Sequence, residues 1–151
     1  MEIIQIQNLV QGLLERSGSN AEVKLESFFP GNRFAGGKYS TGTHTVTLYM
    51  EEIKAQCLQL FSTLELLADY VMVVFAHELG HAEDAELKTL IEISDQSSND
   101  LAKNTIALKI EQNAWDYARR LLPEINHTFM EKIIRHSLNP YHEALGMEQI
   151  A

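Results

Sequence analysis

Two histidines, His77 and His81, bracket Glu78 in the stretch V-M-V-V-F-A-H-E-L-G-H-A-E at residues 71–83. Positions four apart on a helix lie one turn apart on the same face. On a helix, the two imidazoles would therefore be placed to share one zinc ion, in the H-E-x-x-H pattern. Glu78 would point about 100° away from His77 around the axis. There it need not be a ligand, yet it stays close enough to a zinc-activated water to take its proton. The competing account is a buried helix whose histidines are hydrogen-bonded core residues, with Glu78 on its wet edge.

The elements that must position these groups can be read outward from the motif. The run over residues 64–76 is nearly all apolar and lacks Pro and Gly, which suits a helix buried under the site. Ser62 and Glu65 have the spacing of a capping box, so the motif helix is expected over 63–82. Gly80 inside it carries a propensity penalty of about 1 kcal/mol relative to Ala. Close approach of another element or of a substrate would account for that glycine.

A catalytic zinc takes three protein ligands and keeps a fourth position open. The extended pattern H-E-x-x-H-x-x-G-x-x-H would require Gly at position 84 and His at 87, where this chain has Asp84 and Leu87. The third ligand must come from elsewhere. Residues 106–122 read as a second strong helix with Leu108, Glu111, Ala114, Trp115, Ala118, Leu121 and Leu122 on or beside one face, stopped by Pro123. Glu111 is a carboxylate among small and apolar neighbours, and burying it unpaired is costly. It is the preferred third ligand, and Ala114 and Ala118 would let its helix pack closely on the motif helix. Glu83 and Glu86 are nearer in sequence but off the histidines' face unless a loop redirects them. His136 and Cys57 complete the alternatives.

The segment from Glu111 reads E-Q-N-A-W-D-Y-A-R-R-L-L-P. Its E-x-x-A-x-x-[F/Y]-A-x-x-L-L-P form, a few tens of residues after H-E-L-G-H, resembles the ImmA/IrrE family of zinc metallopeptidase-like proteins. The resemblance spans about residues 36–123. It implies zinc held by His77, His81 and Glu111, Glu78 as general base, and a single small zincin-like α+β domain with helices packed on a short mixed or antiparallel sheet. It also implies a protein or peptide substrate, with helix-turn-helix regulators among the family's targets. Asn113 departs from the pattern, because family members often carry an acidic residue there. The tail after Pro123 lies outside the resemblance and reads as a helical C-terminal extension over 124–151 of one domain spanning 1–151.

The remaining chain fits that outline. Residues 3–16 form a first helix with Ile6, Leu9, Val10, Leu13 and Leu14 at helical spacing. Residues 23–29 suit a short extended segment, turned by Phe28 to Asn32. The sheet region is expected at 34–50, with turns at Gly36, Gly37 and Gly42 and a strand giving one apolar face and one Thr/Tyr face. A strand of that kind can pair its backbone with an extended peptide. A helix follows from Glu51 to Leu60, and the polar run from Ser94 to Asp100 reads as a loop. Tail helix signals at Phe129, Ile133, Ile134 and Leu138 break at Asn139 and Pro140.

Composition excludes several function classes. The chain has 151 residues and a formal net charge of −9, and 11 acidic against 2 basic residues fall within 51–100. The flanking thirds balance to zero, so the whole excess surrounds the motif. Such a field opposes phosphate-backbone binding and favours a cation or a basic partner. No direct nucleic-acid binding is expected. The run over 58–76 is interrupted by Glu65 and Asp69, which argues against a membrane span. One cysteine and no visible signal peptide make cytoplasmic residence the expectation. Two functions follow: a zinc-dependent endopeptidase of narrow specificity, or a non-enzymatic regulator that uses a zinc-stabilised fold to bind a protein partner. For the peptidase, the oxyanion donor is left among Tyr39, His44, Tyr117, His127, His136 and His142.

Overall fold

The computed structural model describes residues 1–31 and 35–146. Its elements run α1 (Ile3–Ser17), β1 (Glu22–Glu26), β2 (Gly37–Ser40), β3 (Thr45–Tyr49), α2 (Met50–Phe61), α3 (Leu67–Ala82), α4 (Leu87–Gln96), α5 (Asp100–Leu121) and α6 (His127–Ala144). This is an α+β arrangement, with helices against a small mixed sheet of order β1-β3-β2. β1 pairs with β3 in parallel, Val23 opposite Val46, and β2 pairs with β3 antiparallel, Tyr39 opposite Val46.

α1 forms because Ile6, Val10 and Leu13 fall on one stripe and are buried. Gly18 ends it at φ 71°, where its N–H reaches the carbonyls of Leu14 and Glu15. That left-handed conformation suits glycine. α3 lies at the centre of the core: Val71, Val73, Phe75, Ala76 and Leu79 are fully buried. Around it pack α1, α5 and the sheet, and α6 adds Phe129, Met130, Ile133 and Ile134 to the same core.

Several expectations need correction. The sheet region contains two strands, because residues 41–44 turn between β2 and β3. Phe34, the first residue of the expected region, and Asn32 of the preceding turn lie outside the described residues. β3 is buried on both faces, including Thr45, Thr47 and Tyr49. Held by neighbours on both edges, it has no free edge to offer a peptide; the outer strands are β1 and β2, and β2 is the one beside Glu78. Ser62 caps the end of α2 rather than the start of α3. It sits at φ 59° with its N–H on the Leu58 carbonyl, and the capping box with Glu65 does not form. α3 consequently starts at Leu67, one turn later than expected.

The chain between α3 and α5 is mostly helical. α4 continues to Gln96, and Asn99 then caps α5 by accepting a hydrogen bond from the Ala102 N–H. α5 therefore begins six residues before the periodic apolar pattern does. The expected break at Asn139 and Pro140 is absent, since α6 carries Pro140 inside it. Proline removes the N–H that would have met the His136 carbonyl, and its ring crowds that same carbonyl, so α6 carries it at a local cost. A side-chain bond from Asn139 Nδ2 to Glu143 Oε1 spans the same turn.

Candidate metal centre

α3 presents His77 and His81 on one face, with ring centroids 4.8 Å apart. Glu78, only 5% exposed, lies beside them. Nitrogen and carboxylate atoms of His77, Glu78 and His81 all fall within 4.8 Å of one another, a cluster capable of coordinating a metal ion. From α5, Glu111 reaches both rings: Oε1 lies 2.9 Å from His77 Nε2 and Oε2 lies 3.1 Å from His81 Nε2. Its carboxylate thus bridges the two imidazoles. Two nitrogens and a carboxylate converging in a nearly buried site are a donor set that suits zinc.

Two glycines allow this convergence. A Cβ on Gly80 would stand 2.5 Å from the Ala114 carbonyl oxygen and 2.7 Å from its Cα, so α3 and α5 touch backbone to backbone there. Ala114 and Ala118 are fully buried at the crossing. Gly37 plays the equivalent part for the sheet, because a Cβ there would stand 2.8 Å from Glu78 Cγ. β2 therefore lies directly against the proposed base. Gly80→Ala would gain about 1 kcal/mol of helix propensity. Because the obstructing atoms are backbone, overpacking should outweigh it, for a net loss of about 1–2 kcal/mol. Urea unfolding of the metal-free protein should show a lower midpoint at unchanged m-value.

The electrostatics fit an imidazolium held between two carboxylates. Burial of His77 opposes its charged form, but Glu78 and Glu111 overcome that and raise its pKa to about 10. Burial alone would raise the Glu111 pKa, yet hydrogen bonds and charge from His77 and His81 bring it well below the usual carboxylate range. In the metal-free protein, His77 Nδ1–H donates to Glu78 Oε2 at 3.2 Å and Nε2–H donates to Glu111 Oε1.

Trp115, one helical turn after Glu111, stacks on His77 with centroids 4.2 Å apart and planes 18° from parallel. Its Nε1–H donates to Ser137 Oγ of α6. On sequence alone Trp115 reads as a core or interface aromatic. Its spacing of four from Glu111 was the signal that it would lie over the same site.

The other candidate residues separate clearly. Glu83 accepts from Ser19 Oγ at 2.9 Å, and Glu86 receives a long bond from Asn113 Nδ2, which also reaches Asp84. All three border a shallow hollow on the far side of Gly80, together with Tyr117. Cys57 is buried and donates to the Thr63 carbonyl. Neither acidic alternative nor the thiol joins the His77–His81 cluster. Of the six oxyanion-donor candidates, Tyr39 and His136 border the cavity above the cluster. His44 lies behind Tyr39, its Nδ1 accepting the tyrosine O–H at 2.7 Å while its Nε2–H donates to Asn20 Oδ1. Burial, helped by the charge of Glu83, raises the Tyr39 pKa.

The cavity is about 720 Å³ and runs from β2 across the histidines to α6. No protein family, curated protein or solved structure matches the chain. Its own geometry shows a small zincin-like fold whose His-Glu-x-x-His cluster is compatible with metallopeptidase chemistry. No described helix is long and apolar enough to cross a membrane.

Proposed function

We propose that the chain is a zinc-dependent endopeptidase of narrow specificity, holding zinc through His77, His81 and Glu111 and using Glu78 as general base. The observation that carries this reading is the bridging Glu111 carboxylate, which brings a third donor from a separate helix to both imidazoles. When bound, zinc would supply Lewis acidity, polarising a carbonyl and lowering the pKa of water. Glu78 would accept the proton of the attacking water and pass it to the leaving amine, as a carboxylate buried beside the reacting groups can. The free edge of β2, pressed against Glu78 through Gly37, would hold an extended peptide by backbone hydrogen bonds. His136, on the wall opposite β2, is the group placed to donate to a developing oxyanion, whereas Tyr39 would first have to give up its O–H bond to His44 Nδ1.

The resemblance of the α3 and α5 motifs to the ImmA/IrrE family supports a protein substrate, with a helix-turn-helix regulator as the first to try, in the cytoplasm. Protein refolded with zinc, then freed of excess ion by gel filtration, should retain about one zinc per chain by elemental analysis. A metal-free product would overturn the peptidase reading.

A further inference from the structure

We propose that the α4/α6 side of the cavity is a specificity pocket for a bulky apolar side chain of the substrate, close to the bond that is cut. This deepens the peptidase reading and rests on it.

The two walls of the cavity differ in chemistry. The β2 wall offers backbone from residues 35–39 with Lys38, Tyr39 and Thr41, as a strand edge that holds a main chain would. The opposite wall is formed by Leu87 and Ile91 of α4, Trp115 of α5, and Ile133, Pro140 and Tyr141 of α6. Leu87, Trp115 and Ile133 are nearly buried, so this side is part of the packed body of the protein. His136 and Ser137 also border it; the Ser137 hydroxyl already receives the Trp115 Nε1–H, and His136 is the group proposed above to face the oxyanion. Trp115 lies flat on His77, so the apolar wall begins one ring thickness from the metal cluster. A group held at His77 and His81 would have a main-chain edge on one side and this pocket on the other.

Such a wall selects by desolvation. An aliphatic or aromatic side chain gains from leaving water here, whereas a carboxylate would lose more hydration against Leu87, Ile91 and Ile133 than the His136 imidazole on the same wall restores. The cavity is within the size range of small-molecule pockets, large enough for one such side chain together with the adjoining backbone. Pro140 adds no backbone donor to this wall, and Tyr141 follows it on the same helix.

Hydroxamates test this without knowledge of the natural substrate, because the hydroxamate group seeks the zinc while its tail samples the pocket. The full chain loaded with zinc would be titrated calorimetrically with acetohydroxamate, 4-methylpentanohydroxamate and the monohydroxamate of succinic acid. The branched apolar tail should tighten binding about 10- to 100-fold over acetohydroxamate, and the acidic tail should give no gain. Ile91→Asp should reduce the apolar advantage to threefold or less. Ile93→Asp, two residues along α4 at a position 49% exposed and outside the cavity, should preserve it. If acetohydroxamate binds but the apolar tail adds nothing, or the acidic tail gains as much, the pocket is refuted while the zinc site stands. An advantage that survives Ile91→Asp also refutes it. If no hydroxamate binds the zinc-treated chain better than the zinc-free chain, the peptidase reading fails first and the pocket with it. The three-probe comparison on the unaltered chain decides the matter even if Ile91→Asp does not fold.

Discussion

Glu78→Gln is expected to reduce peptide-bond cleavage by about 10²- to 10⁴-fold in kcat, the range a positioned general base contributes. KM and zinc content should change little. The substitution preserves size in a nearly buried position where β2 closes over the side chain at Gly37. A glutamine oxygen can still accept the His77 Nδ1–H that Glu78 Oε2 accepts, so the ring keeps its orientation. What disappears is the basic oxygen. The measurement is cleavage of co-purified helix-turn-helix regulators and of a proteome-derived peptide library by wild type and variant, with zinc quantified in both. A variant that cuts as fast as wild type would remove Glu78 from the mechanism. Equal action of both proteins on a regulator, with neither cutting it, would favour a partner-binding role for the zinc-stabilised fold.

Glu111→Gln should have two separable consequences. Zinc affinity should fall by at least about 100-fold, beyond the 10- to 100-fold typical of residues that only support a ligand. Competition with a chromophoric chelator measures it, and an unchanged affinity would exclude Glu111 as a ligand. The second consequence concerns the metal-free fold. The folded-state pKa of His77 is raised to about 10, so its stabilising contribution is full below the unfolded value near 6.5 and is lost as pH rises through about 10. The Glu111 pKa is lowered, so its contribution is present above the unfolded value near 4.5 and lost as pH falls below it. The metal-free variant should therefore be less stable than metal-free wild type, by about 3 kcal/mol near pH 6, as expected for breaking a nearly buried pair. The gap should narrow toward pH 10 and again toward strong acid. Denaturant unfolding across that range, with chelator present, would show it. A gap independent of pH would mean that packing, and not this charge pairing, sets the loss.

The site was more legible than the frame around it. His77, Glu78 and His81 are fixed by helical spacing alone, and Glu111 stands out because a carboxylate among alanines needs a partner. The reason for Gly80 was also readable in outline, and the Ala114 backbone supplies it. Local signals misled where one residue could serve two elements. Ser62 has the chemistry of a helix start, yet in the left-handed region it closes α2. The alternation from Thr43 to Met50 runs through a turn that His44 makes at φ 51°, a conformation expected more readily of Gly42 two residues earlier. The polar residues from Ser94 read as a loop, although Ser94, Asp95 and Gln96 complete α4 and Asn99 starts α5. Burial of both faces of β3 depends on strands and helices distant in sequence, which a period-two pattern cannot reveal. The α6 wall of the cavity lay beyond the motif resemblance: its helix was signalled by Phe129, Ile133, Ile134 and Leu138, but of its residues only His136 could be weighed for the site.

Trp115 is the chain's single tryptophan, and it lies face to face with His77. Indole light from this protein therefore originates at one place, against the ring that would exchange a proton for a metal in the proposed zinc site. Its brightness and colour should follow the state of that ring, which would give the centre its own optical gauge. Loading with zinc, stripping and arrival of a hydroxamate should then be readable in real time on the unlabelled chain.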